Sequence, residues 1–129
     1  MESLLRSALI GWLREDVGLA DALNSIAEEA PRRTSPPWLG LVASASGDWS
    51  TKTRKGREIR LALELHLRGD DPATPASLVT QIETRIEGFP AAQAGFDVAN
   101  ISFLRARAEQ RPGNVRAVLL EYRFRLLVA

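Results

Sequence analysis

The sequence contains no cysteine, which excludes disulfides, zinc knuckles and thiol nucleophiles. It has a single histidine, His66, so no histidine pair exists to hold a transition metal. Its nine glycines stand one at a time, and no glycine-rich loop that would cradle a phosphate can be assembled from them. A G-x-S-x-G elbow is missing as well. No run approaches the roughly 18 apolar residues of a membrane span. The opening MESLLRSALIGWLRED, acidic at its second residue and amphipathic, does not read as a signal peptide. Formal net charge is only +1, so no global field draws in nucleic acid or acidic membranes, and any basic function must come from local clustering. These absences point to a chain made in a reducing cytoplasm, with no cofactor, no metal and no membrane partner expected.

What is present fits one α+β domain over residues 1–129. A chain of this size buries about two-thirds of its unfolded surface, enough for one core. Hydrophobic residues make up 45% and charged residues 26%, an ordinary globular balance. Leu5, Ala8, Leu9, Trp12 and Leu13 recur at helical spacing after Ser3, which reads as an N-cap. Beyond Gly18 the same spacing resumes through Leu19, Leu23 and Ile26. EEAPRRTSPP is a proline-rich linker. WLGLVASASG (38–47) reads as a strand. In 59–68 the alternation is strict: Ile59, Leu61, Leu63, Leu65 and Leu67 share one face, with Arg60, Ala62, Glu64, His66 and Arg68 on the other. GDDPATP ends that strand and offers a cap at Thr74 before Pro75. Leu78, Val79, Ile82 and Ile86 make a helical stripe over 76–88. Residues 96–110 form a weaker strand in which Arg105 and Arg107 alternate. RPGN reads as a turn, and Val115–Val128 as a last strand with Glu121, Arg123 and Arg125 on its polar face. The expected order is α-α-β-β-α-β-β: a mostly antiparallel four-stranded sheet with two or three helices on its apolar face.

The inventory of chemistry is thin. His66 lies beside Glu64 and Arg68 because side chains two apart share a face of a strand, and a surface or interface role outweighs a general base there. The Asp70–Asp71 pair precedes Pro72 and fits turn and cap chemistry better than metal ligation. Ser44 and Ser46 alternate with alanines and carry no sign of activation. No catalytic residue is expected.

Two features stand out. The first is a basic arm at about 47–58, GDWSTKTRKGRE, in which Trp49 accompanies Lys52, Arg54, Lys55 and Arg57, with Arg60 just beyond. It fits a solvated hairpin tip, a nucleic-acid finger over 52–60 with Trp49 stacking on a base, or a handle for assembly. The second is the polar sheet face, where Arg60, Glu64 and Arg68 on one strand oppose Glu121, Arg123 and Arg125 on another. This is either a solvated face or a self-complementary interface between subunits. Trp12, Trp38 and Trp49 add anchors of the kind interfaces favour.

The order of these parts resembles the tail-completion, or tail-terminator, proteins of long-tailed bacteriophages and phage-like particles such as gene transfer agents. An amphipathic helix precedes a proline-rich segment ending in Pro37-Trp38-Leu39. A polar arm then leads into REIRLALELHLRG, IETRIEGF follows, and RPGNVRAVLLEYRFRLLV closes the chain. Trp38 departs from the Tyr or Phe expected there, and the arm is long and basic. The resemblance implies a structural virion-assembly protein: a homo-oligomeric ring, usually a hexamer, at the head-proximal end of the tail. Such a ring stops the tube and joins it to head–tail connector proteins while DNA passes through. Lys52, Arg54, Lys55 and Arg57 would then touch a neighbouring subunit, the tail tube protein or the channel DNA. Arg60, Glu64, Arg68, Glu121, Arg123 and Arg125 would belong to the subunit interface.

Overall fold

A computed structural model describes residues 1–31, 33–70 and 73–129, and the side chains of 73–75 are outside that description. Asp71 of the acidic pair and the cap read at Thr74 therefore lie outside the described residues. The elements run α1 (Glu2–Arg14), α2 (Val17–Ala22), β1 (Ser25–Ala27), β2 (Trp38–Asp48), β3 (Gly56–Arg68), α3 (Ala73–Glu87), β4 (Ala92–Gln93), β5 (Phe96–Arg111) and β6 (Val115–Val128). The sheet has six strands, in the order β1-β2-β3-β6-β5-β4. This corrects the four-stranded expectation. The two additions hold three and two residues, too few to show an alternation. All pairings are antiparallel except β1 with β2.

The helical spacing through Leu23 and Ile26 also misleads. α2 stops at Ala22 because Leu23 is extended, at φ −110° and ψ 136°. Asn24 then donates its backbone N–H to Pro37 O at 2.7 Å, and Ile26 pairs with Leu39 in a parallel strand. Tertiary pairing overrides the local pattern. α1 begins at Glu2, so Ser3 does not cap it. Asp16 does cap α2: its carboxylate accepts from Leu19 N at 3.0 Å.

The strict alternation of β3 survives intact. Ile59, Leu61, Leu63, Leu65 and Leu67 are all buried, together with Leu120, Tyr122, Phe124 and Leu126 of β6. Burying the five β3 side chains contributes at most about 10 kcal/mol. α1 covers this face with Leu5, Leu9 and Leu13, and α3 adds Leu78, Ile82 and Ile86. Between the helices, Trp12 Nε1 donates to Arg85 O at 2.7 Å, while Arg85 Nε and Nη2 donate to Trp12 O. The guanidinium lies 3.4 Å from the Trp12 ring centroid. β5 turns into β6 through Gly113 and Asn114, both at positive φ (79° and 57°), the conformation that Gly and Asn adopt most cheaply.

One core residue is under-satisfied. The Tyr122 hydroxyl is buried with no hydrogen-bond partner among the described residues. Burial pushes its pKa well above the ordinary 10.0, and Glu83 and Glu87 add to the rise. A raised native pKa gives stability that is present below pH 10 and lost as pH climbs above it, because the unfolded hydroxyl ionises first. Tyr122→Phe removes a hydroxyl that makes no bond. We expect it to leave stability at pH 7 unchanged or raised by about 1 kcal/mol, and to flatten the alkaline fall. Urea unfolding at pH 7 and pH 10.5 checks both; a loss above 1 kcal/mol at pH 7 would mean that the hydroxyl is bonded.

Candidate assembly surface

The basic arm resolves into a ladder end and a short loop. β2 and β3 stay paired out to Asp48↔Arg57, and residues 49–55 connect them. Trp49 N donates to Gly56 O at 3.0 Å and Thr51 N to Arg54 O at 2.8 Å, closing the tip. Gly56 is buried and pairs with Leu127 of β6.

The arm's cations do not act together. Arg54 turns back onto the sheet, where Nε and Nη2 donate to Val128 O at 3.0 and 2.6 Å and Nη2 also reaches Asp97 Oδ2 at 2.8 Å. Arg57 donates to Ser46 Oγ at 3.1 Å, on the helix-bearing side. Lys52 and Lys55 remain exposed at the tip, while Arg60 stands apart on the open sheet face. Trp49 is half-buried, with the Arg125 guanidinium 5.5 Å from its ring centroid. Its π-face therefore already has a cationic neighbour, within the range of a cation–π contact.

The open face carries the predicted charges in a different pattern of pairs. Glu64 does not meet an arginine of β6: it is opposite Leu119. Its carboxylate is 2.5 Å from His66 Nε2 and 3.1 Å from Arg111 Nη1 of β5. Glu121 takes both Nε and Nη2 of Arg105, at 2.7 and 3.0 Å. The Arg105 hydrogen bond holds the Glu121 carboxyl below its usual range, and the same bond raises Arg105. Arg125 and Arg123 converge on Glu58, at 3.1 and 3.7 Å. Arg60 faces Arg123 across the ladder, and Arg68 lies exposed at the far end of β3 opposite Val115.

Sequence reasoning missed Glu58, Arg111 and also Glu109, which pairs with Arg107 at 2.9 Å and with Arg111 at 3.0 Å, as members of this network. The alternation of Arg105 and Arg107 was the visible signal for β5, but strand order decides which strand lies next to β6.

His66 is built into packing. Its ring stacks on Trp38 with centroids 3.9 Å apart and planes at 14°. Gly40 leaves the room that the indole fills, since a Cβ there would sit 3.1 Å from Trp38 Cζ3. The imidazole is thus engaged on one face by Trp38 and at Nε2 by Glu64. Among the described residues, no group of three or more His, Asp or Glu side chains is placed to hold a metal ion. Nor, among the described residues, is any helix long and apolar enough to cross a membrane.

A shallow trough of about 310 Å³ runs along the open face, lined by Ala43, Ala45, Arg60, Ala62, Leu104 and Glu121. β2 and β5 both reach it although two strands lie between them, so the sheet is curled and this face is concave.

The chain is thus an α+β domain with one sheet face covered by helices and the other a concave, charged strand surface. Residues 7–127 match the family described as tail completion protein gp17. The chain belongs to this tail-completion family and is a structural protein of the virion tail. Its fold recurs in a chain of a solved structure described as the virion of a native gene transfer agent (GTA) particle. The TM-score is 0.77 at 20% sequence identity, covering 98% of this chain and 96% of that one. No curated protein matches the sequence.

Proposed function

We propose that the protein is a ring-forming tail terminator. Copies close into a ring, hexameric in this reading, on the head-proximal end of the tail tube. The ring stops tube growth and joins the tube to the head–tail connector, and DNA passes through its lumen. Family membership supports the setting. The observation that carries the reading is the self-neutralised open face: Arg105–Glu121, Arg111–Glu64 and the Arg123, Arg125–Glu58 pairs are closed within one subunit. A lumen lined by such a face is polar and wet yet holds few free cations, so it lets a polyanion slide without gripping it. Lys52, Lys55 and Arg60 supply the local positive charge that faces DNA, the tube or the next subunit.

Removing the protein tests this. Tails of uncontrolled length that fail to join heads are expected; normal particles would end the reading.

A second reading, a nucleic-acid module using residues 52–60, draws on the exposed Lys52 and Lys55. Because Arg54 is already bonded to Val128 and Asp97, three phosphate contacts at most remain at the tip. The slope of log Kobs against log salt for the isolated subunit is then expected to be no steeper than about −3, and Lys52/Lys55/Arg57→Ala should abolish it. Filter binding across salt concentrations measures this. A slope beyond about −5, surviving the triple substitution, would favour a different nucleic-acid surface.

A further inference from the structure

The two sides of the sheet end in long unpaired edges. On one side, β1 covers β2 only at Trp38, Leu39 and Gly40. Among the described residues, none pairs with the outer edge of β2 from Val42 to Asp48. On the other side, β4 covers β5 only at Phe96 and Asp97, and Val98 N adds one bond to Ala91 O at 2.7 Å. From Ala99 to Arg111 the outer edge of β5 has no backbone partner among the described residues. Thirteen residues of strand extend about 40 Å, and an open edge of that length is a template for another strand.

We infer that adjacent copies join by strand pairing: residues 42–48 of β2 in one copy lie antiparallel to residues 99–111 of β5 in the next, so the sheet continues from subunit to subunit. This rests on the ring reading above and says which surfaces close it.

Three observations select a second copy as the occupant. The first is direction. β2 and β6 run one way, β3 and β5 the other. Rotation about an axis along the strands preserves those directions, so β5 of one copy meets β2 of the next antiparallel, with both concave faces on the same side. That contact joins two different patches, as a closed ring demands. The second is size. The β2 edge is built from Ala43, Ser44, Ala45, Ser46 and Gly47, whereas β5 carries Phe103, Arg105 and Arg107. Long side chains of one edge lie over short ones of the other. The third is the apolar remainder. Phe103 is 47% exposed although its ring meets Tyr122 edge-on at 5.5 Å, and a neighbouring strand would cover it.

The register follows from faces. Ser46 pairs with Ile59, Phe103 with Tyr122, Ala106 with Leu120 and Ala108 with Val118, so all four β2 and β5 residues lie on the helix-bearing side. On that side β5 offers Ile101, Phe103, Ala106, Ala108 and Gln110, and one of these must stand opposite Ser46 of the next copy.

The chain has no cysteine of its own, which makes disulfide trapping clean. Particles carrying Ser46→Cys together with Ile101→Cys, Phe103→Cys, Ala106→Cys, Ala108→Cys or Gln110→Cys are oxidised and run on a non-reducing denaturing gel. One double variant is expected to give a ladder rising to the full ring, and the single-cysteine variants only monomer and background dimer. Thermal melting of each variant confirms that it is folded. Rings visible in the particles without a ladder from any pair overturn the strand pairing and leave the ring standing. A ladder that stops at dimer also overturns it, because it reports a two-fold contact. Particles whose images show no ring remove both.

Discussion

Phe124→Ala is expected to cost about 3–5 kcal/mol of folding stability. Phe124 is fully buried on β6, and Phe89 meets it edge-on with centroids 6.1 Å apart at 85°. Phe89 in turn meets Trp12 of α1 at 6.5 Å and 73°. This chain of rings ties the sheet to α1 through the loop that follows α3. Truncation leaves a cavity and also removes an aromatic pair worth about 0.5–1.5 kcal/mol beyond its area. Domains of this kind have about 5–15 kcal/mol in total, so the variant should sit near the edge of folding. Urea denaturation gives the answer. A loss under 1 kcal/mol would show that the helices do not depend on Phe124. Phe124→Leu, which keeps most of the volume, should recover much of the difference.

The second large effect is expected at Gly56. A Cβ there would collide with Trp49 O and lie 2.7 Å from Leu126 O and 2.9 Å from Leu127 Cδ2. The first two are backbone atoms and cannot swing aside. Gly56→Ala therefore costs about 1–3 kcal/mol through overpacking, against a gain of about 0.5–1 kcal/mol from reduced chain entropy, and the overpacking wins. Gly56→Val should exceed the upper end. The tip should open first, since Gly56 O receives Trp49 N and Lys55 O receives Val128 N. Faster tryptic cleavage at Lys52, Arg54 or Lys55, with a lower urea midpoint, is the expected pair of readouts. An unchanged cleavage rate in Gly56→Ala would place the strain elsewhere.

The long alternating strands were legible because each buries a single face: β3 put every one of its five apolar residues under the helices, as the period of two requires. The two shortest strands were not. Ser25–Ala27 continues a helical spacing, and only its pairing with Trp38–Gly40 makes it extended. The charged residues of the open face were legible as a set, but their partners were not. Whether Glu64 meets an arginine of β6 or Arg111 of β5 depends on how a curled sheet folds long side chains across a strand. The tip shows the same limit. Five cations in nine residues look like one patch, yet Arg54 binds Val128 O, 74 positions away, and no local pattern encodes that. Membership in the tail-completion family was legible from the order of the parts.

The reciprocal grip between Trp12 and Arg85 has a mechanical side. Each side chain holds the other residue's carbonyl, through three hydrogen bonds in all. Sliding α1 along α3 by one turn, about 5.4 Å, would break the three together. The helical layer therefore resists shear as a single plate, and in the proposed ring such plates would hold the bore open when tension is applied along the tail.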